Sequence, residues 1–215
     1  MNLLRPTALS LALVLGACSP TEPSTTTQAD AAEAAPAHAA DAFLAAIAAH
    51  CGKAYAGRIV ANTPASDAPD PFEGKTLVMH VRGCDQPTQE LRVPFHVGDD
   101  HSRTWVLTRT ADGLRLKHDH RHEDGSDDAV TMYGGDTVAE GTAQRQAFPV
   151  DAESVAMFER EGLNASVSNT WAMEIGPDDR FLYELSRPEG RLFQVEFDLS
   201  TPVDTPPAPW GSTDS

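Results

Sequence analysis

The chain has 215 residues, and 32 acidic side chains against 16 basic ones give it a net charge of −16 at pH 7. This length suffices to bury the core of one domain. The negative charge opposes binding to nucleic acid or to an anionic lipid surface, so we exclude both as direct partners and interpret the charge as a source of solubility.

The first residues of the chain have the pattern of an export signal. Arg5 supplies a positive charge, residues 7–15 form an apolar run, and small residues precede Cys18. The run is too short to span a membrane. Residues 15–18, Leu-Gly-Ala-Cys, resemble the lipobox of bacterial lipoproteins, which implies that residues 1–17 are a signal peptide removed before Cys18.

The lipobox resemblance implies an anchor and an address. Acyl chains such as palmitate on Cys18 would hold the protein on a membrane, since each buried methylene contributes about 0.8 kcal/mol. Ser19 in the next position implies sorting to the outer membrane, as in enterobacterial relatives of this signal. We therefore expect an envelope lipoprotein that faces the periplasm, with an ordinary secretory signal and a chance cysteine as the alternative.

Low-complexity segments flank the expected domain. Residues 18–40 consist mainly of Ser, Thr, Pro, Ala and acids, with no aliphatic side chain larger than alanine. They cannot bury a core, so we interpret them as a flexible tether. Residues 200–215 contain four prolines and are interpreted as a disordered tail. The folded domain is then expected to span residues 41–199.

Two short helices and about nine strands are predicted inside this domain. The first helix covers residues 41–50, with Asp41 as its expected cap. The second covers residues 151–162, with Asp151 as cap and Gly162 as terminator. Elsewhere apolar residues alternate with polar ones, as expected of strands with one buried face. The alternation is clearest in residues 91–97, 103–109, 169–176, 180–185 and 191–199.

The order of these elements predicts one β-barrel. A meander of antiparallel strands with hairpin turns and short helices indicates a mainly β, up-and-down barrel of about 8–10 strands, with an open sandwich as the alternative. The order of helix, strand with Gly57 and long meander looks like that of the calycin group, which includes lipocalins. The resemblance implies a small apolar ligand, for which we expect these lining residues: Trp105, Trp171, Phe193, Val195 and Phe197.

The chain has three cysteines, and lipidation of Cys18 would leave Cys51 and Cys84 as a pair. In an exported protein this pair predicts a disulfide, which would stabilise the fold by roughly 3 to 4 kcal/mol in the chain-entropy model. The bond would join the first helix to the end of the strand before Cys84. A reactive thiol is the alternative, although the chain has no CxxC motif.

Three histidines follow two leucines at alternate positions of one predicted strand. His118, His120 and His122 continue the face of Leu114 and Leu116, so a barrel strand would point them into the mouth of the barrel. Alternate residues lie roughly 7 Å apart along a strand, which lets two neighbouring imidazoles reach one metal ion.

A further metal ligand would have to come from outside this strand. His101 lies in the turn before the neighbouring strand, and Glu123 lies in the turn that follows. Together with His118, His120 and His122, they predict a site suited to zinc or a similar divalent ion. Two other interpretations stay open, namely a polar strand end and a gate that responds to titration of the histidines.

No sequence motif identifies a catalytic reaction. A phosphate loop, a GxSxG nucleophile elbow and an HExxH helix are all absent from the sequence, so we assign no catalysis. Two hypotheses remain. The first is an envelope lipoprotein whose barrel is structural or binds a small apolar or amphipathic ligand. The second is a protein that binds zinc, or depends on it, at the histidine strand.

Overall fold

The computed structural model describes residues 38–64 and 70–212. They form ten strands, two α-helices and a short 3-10 turn. Helix α1 spans Ala39–Ala48, helix α2 spans Ala152–Arg160, and the 3-10 turn spans Asn164–Ser166. The strands are β1 (Ala54–Thr63), β2 (Leu77–His80), β3 (Glu90–Val97), β4 (Asp100–Arg109), β5 (Leu114–His120), β6 (Tyr133–Asp136), β7 (Arg145–Pro149), β8 (Thr170–Gly176), β9 (Arg180–Ser186) and β10 (Leu192–Val203).

The expected signal peptide, Cys18 and nearly all of the expected tether lie outside the described residues. Among the residues that are described, no helix has both the length and the apolar character that crossing a membrane requires. The localisation expected from the lipobox therefore stays a prediction.

The strands form one sheet that curls into a nearly closed barrel. Each strand pairs with its neighbours in the chain, except that β6 and β7 form the two edges, and β1 also pairs with β10. All of these pairs are antiparallel. This arrangement confirms the predicted mainly β, up-and-down barrel, and the alternative open sandwich does not form.

The two edge strands meet at a seam that the start of α2 helps to close. The N–H of Asp151 donates to the carbonyl of Gly134 in β6 at 2.9 Å, and the N–H of Gly134 donates to Ser154 Oγ at 2.8 Å. A Cβ at Gly135 would lie 1.8 Å from the carbonyl oxygen of Pro149 in β7. Glycine is therefore required where the two edges approach this closely.

Helix α1 covers one end of the barrel. Phe43, Leu44 and Ile47 project from one side of the helix, are at most 1% exposed, and join the central hydrophobic core. Asp41, in the first turn, pairs with Arg109 at the end of β4, with 2.6 Å between Oδ1 and Nε. This apolar face of α1 thus closes the end of the barrel.

The helix caps match the prediction at α2 but not at α1. Asp151 Oδ1 accepts a hydrogen bond from the N–H of Ser154 at 2.8 Å, and Gly162 follows the helix with a φ of 74°, as predicted. Helix α1 instead begins before Asp41, and His38 Nδ1 caps it. The Asp41 carboxylate is free for its ion pair because it is not the cap.

A disulfide joins Cys51 to Cys84, as predicted, with 6.2 Å between the Cα atoms. Cys51 follows α1 and Cys84 follows β2, so the bond ties the helix that covers the barrel end to the sheet. The two residues are 33 positions apart. Closing a loop of that size limits the freedom of the unfolded chain.

Aromatic side chains fill part of the barrel interior. Trp105 stacks on Phe95 with ring centroids 5.0 Å apart, and Phe197 meets Phe95 edge-on at 5.8 Å. Phe181 lies 6.1 Å from Phe197. All four side chains are at most 2% exposed. We call these four residues the packed interior.

The folded chain continues past the predicted boundary at Leu199. Strand β10 runs to Val203, and residues 204–212, here called the C-terminal strap, lie against the outer face of the barrel. The N–H of Trp210 donates to the carbonyl of His101 at 3.0 Å, and their rings lie 6.4 Å apart. Contacts with the barrel therefore position a proline-rich segment whose composition predicts a disordered tail.

Candidate functional site

The end of the barrel opposite α1 contains a cavity of about 310 Å³ that opens to solvent. Helix α1 pairs with Arg109 at the C-terminal end of β4. His120 borders the cavity and ends β5, which runs antiparallel to β4, so the cavity and α1 lie at opposite ends of the barrel. We call this cavity the rim pocket. Its aromatic lining residues are Phe72, Tyr133, Phe158, Trp171, Tyr183 and Phe193.

The aromatic rings of the rim pocket pack against one another. Tyr133 lies 5.6 Å from Trp171 and 5.3 Å from Phe158 between ring centroids. Phe72 and Phe193 lie 4.9 Å apart on another part of the wall. Ring pairs at these distances contribute about 0.5–1.5 kcal/mol beyond their buried area. The pocket therefore has a preformed apolar wall.

Two of the five predicted lining residues, Trp171 and Phe193, border the rim pocket. The other three, Trp105, Val195 and Phe197, belong to the hydrophobic core but are not among the lining residues of the pocket. The alternation of apolar residues identifies the side chains that point inward. It does not identify their depth along the barrel axis, which decides whether they pack or line a cavity.

His118 is held inside the barrel by two hydrogen bonds. Nδ1 lies 3.2 Å from the carbonyl oxygen of Tyr133, and Nε2 lies 2.9 Å from the Tyr183 hydroxyl. A carbonyl can only accept, so we assign the proton to Nδ1, and Nε2 accepts from Tyr183. Burial, followed by the neighbouring His120, lowers the pKa of His118 to about 3. The imidazole is therefore neutral.

His120 forms part of the rim pocket wall. Its Nε2 lies 3.1 Å from the Tyr133 hydroxyl. Burial, followed by the charge of Arg103, lowers the pKa of His120 to about 4, and burial raises the pKa of Tyr133 to about 12. Both groups are therefore neutral near pH 7.

The structure does not bring the five predicted metal ligands together. His118 and His120 face the interior, whereas His122 follows the end of β5 and its side chain is 57% exposed, 4.0 Å from an Asp128 oxygen. Glu123 is exposed in the turn. His101 lies on the outer face, 4.5 Å from His96 between ring centroids.

Within residues 38–64 and 70–212, no group of three or more His, Cys, Asp or Glu side chains is arranged to hold a metal ion. At the histidine strand, the separation of the ligands has a local cause. Strand β5 ends at His120, and the following turn carries His122 away from the face that His118 and His120 share. The zinc hypothesis stays a prediction. Of its five expected ligands, only His118 and His120 share the inner face of the barrel.

The rim pocket also has a polar edge. Arg187 Nε donates to Asn169 Oδ1 at 2.6 Å. Burial, followed by the like charge of Arg191, lowers the pKa of Arg187. On the same lining, Asp128 Oδ1 accepts from the N–H of Val130 at 2.7 Å. The pocket thus combines an apolar wall with a cation and an anion at fixed positions.

Sequence reasoning did not find Phe72, Tyr133, Phe158 and Arg187 as site residues. Phe72 lies in the loop before β2, Phe158 lies on α2, and Arg187 follows β9, so they fall outside the regular alternating runs. A sequence feature that could have indicated Arg187 is its position as a cation directly between the apolar run of β9 and a Pro-Glu-Gly turn.

No protein-family model matches the chain, and no curated protein or solved structure shows a significant match. The fold and cavity define the class by themselves. The chain forms a nearly closed antiparallel β-barrel, compatible with a calycin-like architecture, with an open cavity of small-molecule size.

Proposed function

We propose that the protein binds a small apolar or amphipathic molecule in the rim pocket. The supporting observation is an open cavity whose wall contains six aromatic rings and a minority of polar side chains. Small-molecule sites are typically concave, mostly apolar and roughly 300–1,000 Å³ in volume. The rim pocket, at about 310 Å³, suits a compact ligand or one short hydrocarbon chain.

The wall of the pocket is held in place before a ligand arrives. Tyr183 is fixed by its hydrogen bond to His118, whose ring lies 5.0 Å from that of Trp171. Binding therefore orders few side chains, which lowers its entropic cost. Each Å² of apolar ligand surface removed from water contributes about 25 cal/mol.

We further propose that the barrel acts at the bacterial envelope, as an outer membrane lipoprotein that faces the periplasm. The support is the resemblance of residues 15–18 to a lipobox. Cys18→Ser should abolish acylation and leave the protein unprocessed or released from the membrane fraction. Unchanged membrane extraction of this variant would contradict the lipoprotein proposal.

The ligand proposal can be tested with N-phenyl-1-naphthylamine, a neutral probe that fluoresces in apolar surroundings. We expect the purified protein to bind the probe with one saturable site. Ser166 lines the pocket from the 3-10 turn, and Ser166→Trp should fill the cavity and weaken probe binding by about tenfold or more.

Ser200→Trp is the matched control, because Ser200 is exposed on β10 and is not among the lining residues of the rim pocket. This variant should bind the probe like the wild type. No saturable binding by the wild type, or equal binding by the wild type and Ser166→Trp, would overturn the proposed function.

A further inference from the structure

The arginines of the described barrel differ in their partners. Most of them lie within 4.0 Å of a carboxylate oxygen, as Arg115 does with Asp136 at 2.6 Å. Across residues 38–64 and 70–212, no carboxylate oxygen lies within that distance of Arg187 or Arg191. In a chain with 32 acidic and 16 basic residues, two neighbouring arginines without such a partner require an explanation.

Arg187 is a partly buried cation whose side-chain partner is neutral. Its Nε donates to Oδ1 of Asn169, a side chain in a residue that is only 5% exposed. Burial of a charge is unfavourable, and a second cation nearby adds to that cost. The charge of Glu189 acts in the opposite direction, but burial and Arg191 outweigh it, because the pKa of Arg187 is lowered. An anion bound beside Arg187 would offset both effects.

Arg191 places a second cation beside the same pocket. Its guanidinium lies 5.7 Å from the centroid of the Phe193 ring, which borders the rim pocket. Arg191 Nη1 donates to Asn62 Oδ1 at 2.6 Å, which is again a neutral partner. Arg187 borders both the rim pocket and an adjacent cleft that Arg191 also lines.

The acidic groups near the pocket define where an anion can bind. Glu189 is exposed in the turn between the two arginines, and its Oε2 accepts from Ser168 Oγ at 3.3 Å. Asp128 lies on the lining with His120 and would repel an anion there. The favourable position for a negative head group is therefore the Arg187 edge of the pocket.

We propose that the ligand of the rim pocket is an anionic amphiphile, with its acidic head group on the Arg187 guanidinium and its apolar body against Trp171 and Phe193. This inference rests on the proposed function. A carboxylate, sulfate or phosphate can accept two parallel hydrogen bonds from a guanidinium. The apolar body then replaces water along the aromatic wall.

Displacement of N-phenyl-1-naphthylamine by decanoate, decyl sulfate and decanol tests the head group, because the three compounds carry comparable hydrocarbon chains. We expect either or both anions to displace the probe from the wild type at concentrations about tenfold lower than decanol. Displacement by one anion but not the other identifies the acid class and supports the inference.

Arg187→Gln should remove most of the preference for the anions and leave displacement by decanol unchanged. Arg187→Lys should retain part of the preference, since it keeps the charge but loses the planar fork. Arg58→Gln is the matched control, because the Arg58 side chain is 73% exposed and pairs with Glu196. It removes one positive charge outside the rim pocket and should behave like the wild type.

Equal displacement by decanol and both anions in the wild type would overturn the inference and leave the proposed function standing. Failure of the probe to bind would overturn both. Weaker binding of decanol and the anions alike in Arg187→Gln would assign Arg187 to the structure of the wall and overturn its head-group role. An unchanged anion preference in that variant would also overturn it.

Discussion

The two ends of the barrel are built from the same alternating strands but differ in what fills them. At the α1 end, Phe43 and Ile47 are at most 1% exposed and belong to one hydrophobic cluster with Trp105. At the other end, Trp171 and Phe193 belong to the same hydrophobic cluster but also border an open cavity of about 310 Å³. A barrel end becomes core where the chain supplies an apolar cover. Stability should therefore depend most on the first end, and binding on the second.

The largest difference is expected from two phenylalanines of β10. Phe197→Ala removes a ring from the packed interior and should lower the free energy of unfolding by about 4 kcal/mol, because a cavity forms inside close-packed side chains. Phe193→Ala removes a ring that already borders a cavity and should cost about 2 kcal/mol, near the transfer term alone. Urea unfolding gives the free energy of unfolding of both variants. Equal losses of stability would contradict the difference between the two ends of the barrel.

The disulfide lies at the covered end and should affect stability without affecting binding. Replacement of Cys51 and Cys84 by serine should lower the free energy of unfolding by about 3–4 kcal/mol, since the unfolded chain regains loop freedom. Probe affinity at the rim pocket should be unchanged in the folded variant. Two freely alkylated thiols in the native wild type would contradict the pairing itself.

Acid should destabilise the protein through the histidines of the open half. Burial holds the pKa of His118 at about 3 and that of His120 at about 4, whereas unfolding returns each to about 6.5. Between about pH 6.5 and 4 the unfolded chain binds more protons. Stability is therefore fully present above about pH 6.5 and falls as the pH falls, by up to about 1.4 kcal/mol per pH unit for each histidine.

Unfolding free energies measured at pH 7, 6 and 5 check this slope. His118→Gln should reduce it by about one proton, because one buried imidazole no longer titrates on unfolding. His122→Gln is the matched control, since it replaces the same kind of side chain at a position that is 57% exposed. Equal slopes in the His118 variant and the wild type would contradict the neutral, buried His118.

The smallest effect is expected for zinc. The zinc hypothesis predicts a stoichiometric site that a His118→Ala, His120→Ala double variant abolishes. However, both ring nitrogens of His118 and Nε2 of His120 already have hydrogen-bond partners, so a metal would have to displace them. We therefore expect weak heats that are equal in both proteins when zinc is titrated by calorimetry without a histidine tag. A stoichiometric wild-type site that the double variant lacks would restore the hypothesis.

Local sequence determined most of the barrel, because its signals depend on neighbours in the chain. Alternation with a period of two places Trp105, Trp171 and Phe197 each on the apolar face of its strand, and this assignment needs only the neighbouring residues of the chain. Asp151 caps α2 through an N–H three residues away. Assignment of Cys18 to the lipobox left Cys51 and Cys84 as the remaining pair of cysteines.

Tertiary structure alone decided which inner residues became core and which became pocket. Register sets the depth of a residue along the barrel axis, and α1 covers one end of the barrel. Neither can be inferred from the alternation of a single strand. Phe72, Phe158 and Arg187 reach the rim pocket from a loop, a helix and a strand end. Their proximity depends on long-range pairing, because each becomes a pocket residue only when the barrel closes around it.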